Sequence, residues 1–246
     1  FDETQTPWKS AINIVELAAA PGAMAVSPPA DGMELGRTVL VYPTESVVEL
    51  LDHALFEIET VPLDQSMDQI TLAGTQAVLW SDGNAHDLYR LNLEDDDLVE
   101  YVLQNPAVSV TLAPTGEFAV VLTRPEANAG GTGVDALYDQ HPGMEIIDLQ
   151  SDDTEPFLLE GQGLGVAFAA GGTYLQALVL QQDIDYLYML DLYTRVAQEL
   201  ELSAPPIAIG AMPDGKFYIT HDRAVGLVSF LDPQSGELTE VAGFAS

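Results

Sequence analysis

The chain contains no cysteine. That excludes a disulfide framework, a thiolate nucleophile and any zinc site built on thiolates. Basic residues are almost as scarce, with 7 Lys and Arg against 39 Asp and Glu and a formal net charge of −32. Only Lys9 and Lys216 are lysines. Nucleic acids and anionic membranes are bound by neutralising phosphates with Lys or Arg, so this charge excludes both as partners. No direct membrane span is expected either, because the apolar stretch Leu17–Val26 is short and Pro21 interrupts it. The chain has no Asn-x-Ser/Thr acceptor, no nucleophile elbow, no H-E-x-x-H helix and no P-loop. The segment Gly161–Gly165 has glycines at alternate positions but opens no helix, so it reads as a connection rather than a dinucleotide fingerprint.

Hydrophobic residues make up 47 % of the chain, which is enough for a packed core. The 20 Gly and 15 Pro are scattered singly, a distribution that suits many short strands and turns. Self-repulsion at −32 destabilises a compact state unless ions screen it. A saline habitat would supply that screening, since the Debye length falls to roughly 3 Å at about 1 M salt. Bound divalent cations would be another source, Ca²⁺ being suited to carboxylate oxygens such as those of Asp95, Asp96 and Asp97. The bland alternative is a solvated acidic surface with no specific ligand. The chain opens on Phe1 rather than Met, so a processed or partial product is expected, with an extracytoplasmic location in the periplasm, at the cell surface or secreted.

The strongest signal is internal repetition. Turn signals recur at Pro29–Gly32, Ala73–Gly74, Pro114–Gly116, Ala170–Gly172 and Pro213–Gly215, their last glycines spaced by 42, 42, 56 and 43 residues. An apolar run precedes each marker and another follows it, which reads as strand, tight turn, strand. A third run closes on a polar residue at Asp52, Asn92, Asp148, Asp191 and Asp232, and a fourth, wetter run ends the unit. Units of this length with four strands are propeller blades. The predicted fold is therefore an all-β propeller of four-stranded antiparallel blades over 21–65, 66–104, 105–160, 161–203 and 204–246, preceded by an N-terminal segment, 1–20. Ile12–Leu17 reads as one more strand, either closing a five-bladed ring or ending a preceding blade of a larger propeller.

The segment Ala211–Thr220 (AMPDGKFYIT), with Val225–Asp232 and Ser235–Val241, resembles the repeat of the YVTN or lactonase-type propellers. The likeness is good in the fifth blade, fair in the first and third, and thin in the second and fourth. It implies a propeller, and it allows a lactonase-like hydrolase as one activity among several that such folds carry.

In a propeller the loops between second and third strands emerge on one face. Here those loops are 43–46, 81–87, 124–143, 181–185 and 221–224. They hold His86, His141 and His221 together with Asp87, Asp139, Asp183, Asp185, Asp222 and Arg223. This is the candidate ligand or partner face. His86, His141 and His221 are its candidate metal ligands, because imidazole and carboxylate suit a divalent metal and also form general acid–base sets. The segment Arg124–Gly143 exceeds the other loops by about 14 residues and is expected to fold over the central opening or dock on another chain. Two functions follow. One is a non-catalytic binding or structural propeller with a protein partner or further copies of itself. The other is a lactonase-like hydrolase with a metal or acid–base site on that face.

The charge generates the first prediction. The melting temperature should rise from low salt to about 1 M NaCl, because screening relieves the repulsion of the surface. A scanning calorimetry series with an unchanged or falling midpoint would refute it. A rise caused by millimolar Ca²⁺ alone would identify specific cation sites instead.

Overall fold

The computed structural model describes residues 15–17, 19–29, 35–126, 133, 135–171, 174–222 and 226–243. Its strands form five four-stranded antiparallel sheets, each a simple meander. The first holds β1 (Ala23–Val26), β2 (Arg37–Val41), β3 (Val47–Asp52) and β4 (Ile58–Pro62). The second holds β5 (Gln69–Ala73), β6 (Gln76–Trp80), β7 (Asp87–Asn92) and β8 (Asp97–Val102). The third comprises β9 (Ala107–Leu112), β10 (Phe118–Thr123), β11 (Gly143–Asp148) and β12 (Thr154–Leu158), with a short helix α1 (Asp135–Gln140) between β10 and β11. The fourth holds β13 (Gly163–Gly171), β14 (Tyr174–Gln181), β15 (Tyr186–Asp191) and β16 (Val196–Glu201). The fifth holds β17 (Pro206–Ala211), β18 (Phe217–His221), β19 (Leu227–Asp232) and β20 (Glu237–Ala242). The strand expected over Ile12–Leu17 lies mostly outside the described residues, as do Gly32, Gly172 and Arg223.

Burial explains why the second strands read as unbroken apolar runs. Strands β2, β6 and β10 are buried on both faces, each facing a neighbouring sheet on one side or the other. The outer strands β4, β12 and β16 are polar and largely exposed. Innermost strands follow one another around the array, with β1 beside β5, β5 beside β9, β9 beside β13 and β13 beside β17.

Two kinds of turn repeat. Gly74, Gly116 and Gly215 all join a first to a second strand at φ of 59°, 73° and 82°. The third-to-fourth turns are built by the polar residue that ends the third strand. Asp52 Oδ1 accepts the backbone N–H groups of Ala54 and Leu55 at 2.7 and 2.9 Å, and Asp148, Asp191 and Asp232 do the same two and three residues on. Asn92 makes the first of these bonds to Glu94. The chain then passes through the left-handed region four residues after the turn builder, at Phe56 (φ 58°), Asp96 (59°), Asp152 (62°), Arg195 (60°) and Gly236 (71°).

Four apolar clusters hold the sheets together, one at each junction between successive sheets. Arginines fasten the same seams. Arg37 of the first sheet donates to Leu93 O and to Asp96 of the second. Arg90 of the second donates to Leu149 O at 2.8 Å and lies 3.7 Å from Asp152 of the third. Arg195 of the fourth pairs with Glu155 of the third and stacks on the Phe118 ring at 5.1 Å. Among the described residues no cluster joins the fifth sheet to the first. Strand β18 accordingly alternates, with Phe217, Ile219 and His221 buried and Tyr218 40 % exposed.

An exposed phenylalanine in left-handed backbone is strained, whereas glycine is not. Phe56→Gly should therefore stabilise the fold by about 0.5–1 kcal/mol in urea denaturation, the greater freedom of the unfolded chain offsetting part of the gain. Gly236→Ala, at the matching position of the fifth sheet, should cost about 1 kcal/mol. Shifts of the same sign in both variants would show that the turns are not equivalent.

Candidate functional site

The face that carries the second-to-third-strand loops is organised around the seam between the second and third sheets. His86 sits at the end of the loop after β6. Its Nδ1 lies 3.0 Å from Leu103 O, and a carbonyl only accepts, so Nδ1 carries the hydrogen. Nε2 is left to face Glu126 at 3.3 Å. Glu126 lies in the long β10–β11 connection, whose other described parts reach the same place. Arg124 donates to Asp82 O at 3.3 Å, contacts Gly83 O and pairs with the Asp82 carboxylate at 3.6 Å. Glu126 N–H donates to Asp139 O at 2.9 Å, and Tyr138 OH donates to Pro156 O at 3.3 Å. The described parts of the connection, Arg124 to Glu126 and α1, thus meet at the seam beside His86.

Beneath it lies a group that composition and spacing did not single out. Glu145 of β11 is 4 % exposed. Its Oε1 accepts the Gln104 N–H at 2.6 Å. Burial pushes its carboxyl up to about 7, against the opposing pull of the backbone N–H groups of Gln104 and Asn105 and of nearby His86. Asn105 is 2 % exposed, donates from Nδ2 to Tyr138 O at 2.6 Å, and its Oδ1 has no hydrogen-bond partner among the described residues. The signal available in the sequence was an acidic residue breaking the apolar run Met144–Ile147. A carboxyl and an imidazole in one seam are the residue types of a general acid–base pair.

The other predicted residues are dispersed. Asp87 accepts from the Gln65 side chain. Asp139 is buried, and the exposed His141 contributes its carbonyl to Asn105 Nδ2 at 3.4 Å. Asp183, Asp185 and Asp222 are exposed on loops of the fourth and fifth sheets. The expected metal set does not assemble. His221 is buried, with Nδ1 2.7 Å from Ala204 O and Nε2 2.7 Å from Ser229 Oγ, so both nitrogens are committed to the fold. Among the described residues no three His, Asp or Glu side chains converge to hold a metal ion. The insertion was expected either over the central opening, near His86 and His221, or docked on another chain; of its described residues, Glu126 lies beside His86. On the opposite face an open depression of about 450 Å³ is lined by the turns at Ala73–Gln76 and Thr115–Glu117, with Glu94 and Gln150 beside them.

No family model matches the chain, and no curated protein matches it. Solved propeller structures do. Dihydro-heme d1 dehydrogenase NirN, in complex with DHE, superposes with a TM-score of 0.60 at 13 % identity over 88 % of this chain and 47 % of NirN. The Cps50 (Swd1) β-propeller domain of Myceliophteria thermophila gives 0.53 at 11 % identity over 92 % of this chain and 73 % of that domain. BBS1N in complex with ARL6DN gives 0.51 at 11 % identity over 90 % and 64 %. The fold is a β-propeller. At these identities the likeness concerns the fold alone, and this chain spans about half of the first neighbour's length.

A carboxyl raised to about 7 binds more protons in the folded than in the unfolded chain between about pH 4.5 and 7. Its contribution to stability is therefore full below pH 4.5 and lost as pH rises through 7. Glu145→Gln removes that loss and keeps an acceptor. The variant should gain on the parent by on the order of 2 kcal/mol between pH 4.5 and pH 8 in urea denaturation at fixed salt. A constant difference across that range would show that folding leaves the proton affinity of Glu145 unchanged.

Proposed function

We propose that the chain is a non-catalytic binding propeller that works outside the cytoplasm and presents its loop-bearing face to a protein partner with a basic surface. The observation that carries this reading is the disposition of charge. Arg37, Arg90, Arg124 and Arg195 are all engaged in ion pairs with the chain's own carboxylates. Asp82, Asp183, Asp185 and Asp222 stay exposed on the loop-bearing face. Such a surface attracts cationic partners and speeds their encounter. Neighbours of the same fold include a subunit crystallised with a protein partner, which supports a binding role by analogy. A chain without thiols needs no reducing compartment. Its YVTN-like repeats, clearest in the fifth blade, are consistent with such a module.

His86, Glu126 and Glu145 favour one second reading, a lactonase-like hydrolase using an acid–base pair at the seam between the second and third sheets.

Both readings are tested with one set of variants. Asp183→Asn, Asp185→Asn and Asp222→Asn combined should weaken binding of an arginine-rich peptide about tenfold or more at physiological salt. The same charge removed from the opposite face, at Glu94, Asp95 and Asp153, should change it far less. Equal losses would mean diffuse attraction rather than a binding face. Lactone hydrolysis abolished by both His86→Ala and Glu145→Gln would replace the binding reading with the hydrolase.

A further inference from the structure

The fold does not require a carboxylate at Glu145. Where the last strand of one sheet runs on to the first strand of the next, the connection carries backbone N–H groups that need acceptors. At the first junction the Tyr89 hydroxyl accepts the Asp64 N–H. At the third, Gln181 Oε1 accepts the Glu160 and Gly161 N–H groups at 2.9 and 3.1 Å. At the fourth, Glu240 takes the Ser203 N–H from an exposed position. Glu145 does the same for Gln104 and Asn105 at the second junction. Tyr89 and Gln181 are as buried as Glu145 and carry no charge. A neutral group therefore serves the connection, and burying an ionisable one adds a cost that the architecture does not ask for.

The adjoining side chain has the complementary need. A neutral carboxyl has one O–H to donate. Asn105 Oδ1 is a buried acceptor with no hydrogen-bond partner among the described residues, and the Asn105 backbone N–H already reaches Glu145. The other end of the same amide is occupied. Nδ2 donates to Tyr138 O at 2.6 Å and to His141 O at 3.4 Å, so the C-terminal end of α1 hangs on it. Two further bonds depend on that end: His141 N–H to Tyr138 O at 3.2 Å and Glu126 N–H to Asp139 O at 2.9 Å.

We propose that Glu145 and Asn105 form a proton-operated switch, in which the neutral carboxyl donates its hydrogen to Asn105 Oδ1 and keeps Nδ2 turned toward α1, whereas the carboxylate draws Nδ2 to itself and releases Tyr138 and His141. The direction follows from the charge. With the carboxyl held up to about 7, the hydrogen is in place below that pH and passes to solvent as pH rises through it. The carboxylate then offers Nδ2 a charge-assisted bond, stronger than the neutral one it replaces. The turned amide sets Oδ1 against Tyr138 O and His141 O, acceptor against acceptor. The surrounding groups leave this sign unchanged. Val121 of β10 and Pro156 of β12 lie opposite Glu145 and are uncharged. The second sheet packs Trp80, Leu88, Tyr101 and Leu103 into the seam. His86 lowers the proton affinity of Glu145, but less than burial raises it. On the connection, Arg124 is paired with Asp82, His141 is exposed, and Glu126 and Asp139 disfavour a further negative charge. The switch changes what the loop-bearing face displays, whether that face binds or catalyses.

An NMR series on the whole chain between about pH 5.5 and 8.5, at fixed salt, tests this. In the wild type the carboxyl carbon of Glu145 and the side-chain N–H signals of Asn105 should shift with one common midpoint. Over the same range the backbone N–H groups of Glu126 and His141 should lose roughly tenfold of their protection from hydrogen exchange, after correction for base catalysis, as expected for one lost hydrogen bond. Glu145→Gln, whose amide donates to Oδ1 at every pH, should keep that protection throughout. Asn105→Ala should lower the Glu145 midpoint by about one pH unit, because the proton loses its acceptor. Asn105 signals that do not follow Glu145 in the wild type overturn the proposal, and this measurement needs no variant to fold. An unchanged Glu145 midpoint in Asn105→Ala overturns it too. So does an equal loss of protection in Glu145→Gln, which would assign the effect to His86 and Glu126.

Discussion

The seam between successive sheets is the constraint on which the rest of the molecule depends. A single four-stranded meander has two faces and cannot bury either alone. Stacking sheets side by side buries the faces that they share. This is why Val78 and Leu79, adjacent in β6 and pointing opposite ways, are both fully buried, in the clusters toward the third and the first sheet respectively. Substituting either would loosen a different seam, so each second strand couples two junctions. The arginines work at the rim of the same seams. They satisfy carbonyls that directly follow a third strand, Leu93 O and Leu149 O, and hold the carboxylate of the turn there.

That seam also explains where function can lie. Loops on the face carrying His86 are free of the apolar packing and can vary without disturbing the sheets. The described parts of the one long connection, between β10 and β11, lie at the junction of the second and third sheets, where Arg124 reaches the loop at Asp82–Asn84. Glu145 lies under it, on the side of β11 that faces the second sheet, as Ile147 does. Its raised affinity for a proton follows from that position, because burial in an apolar seam penalises charge more than two backbone N–H groups relieve it.

Much of the fold was legible because the repeat leaves marks that physics makes obligatory. Gly74, Gly116 and Gly215 are needed for positive φ. Asp52, Asn92, Asp148, Asp191 and Asp232 are needed to cap the third-to-fourth turns, so a polar residue recurs after each apolar run. The site was less legible, because loop membership places a residue on a face but says nothing of what its side chain meets. His221 shares that face with His86, yet it ends a second strand and bonds to Ala204 O and Ser229 Oγ inside its own sheet and the adjoining connection. Glu145 was hidden for the opposite reason. It sits in a strand, where a polar residue attracts notice only if its face is known, and the face depends on register across the seam.

Charge and seam act on different length scales, and their separation makes so acidic a chain foldable. The seams are apolar and short-ranged, so salt leaves their dispersion and burial terms nearly unchanged and slightly favours them. Repulsion among carboxylates is long-ranged and falls steeply as ions screen it. The described arginines lie close to the seams, where they cancel the carboxylates nearest the packed surfaces and leave the rest at the rim. Ionic strength therefore regulates interactions between surfaces more than the packing within them. The side of β18 and β19 that carries Tyr218, Thr220, Val228 and Phe230 keeps its charges, Lys216, Asp232 and Glu237, at one end, so burial is the main force that acts on the rest of it.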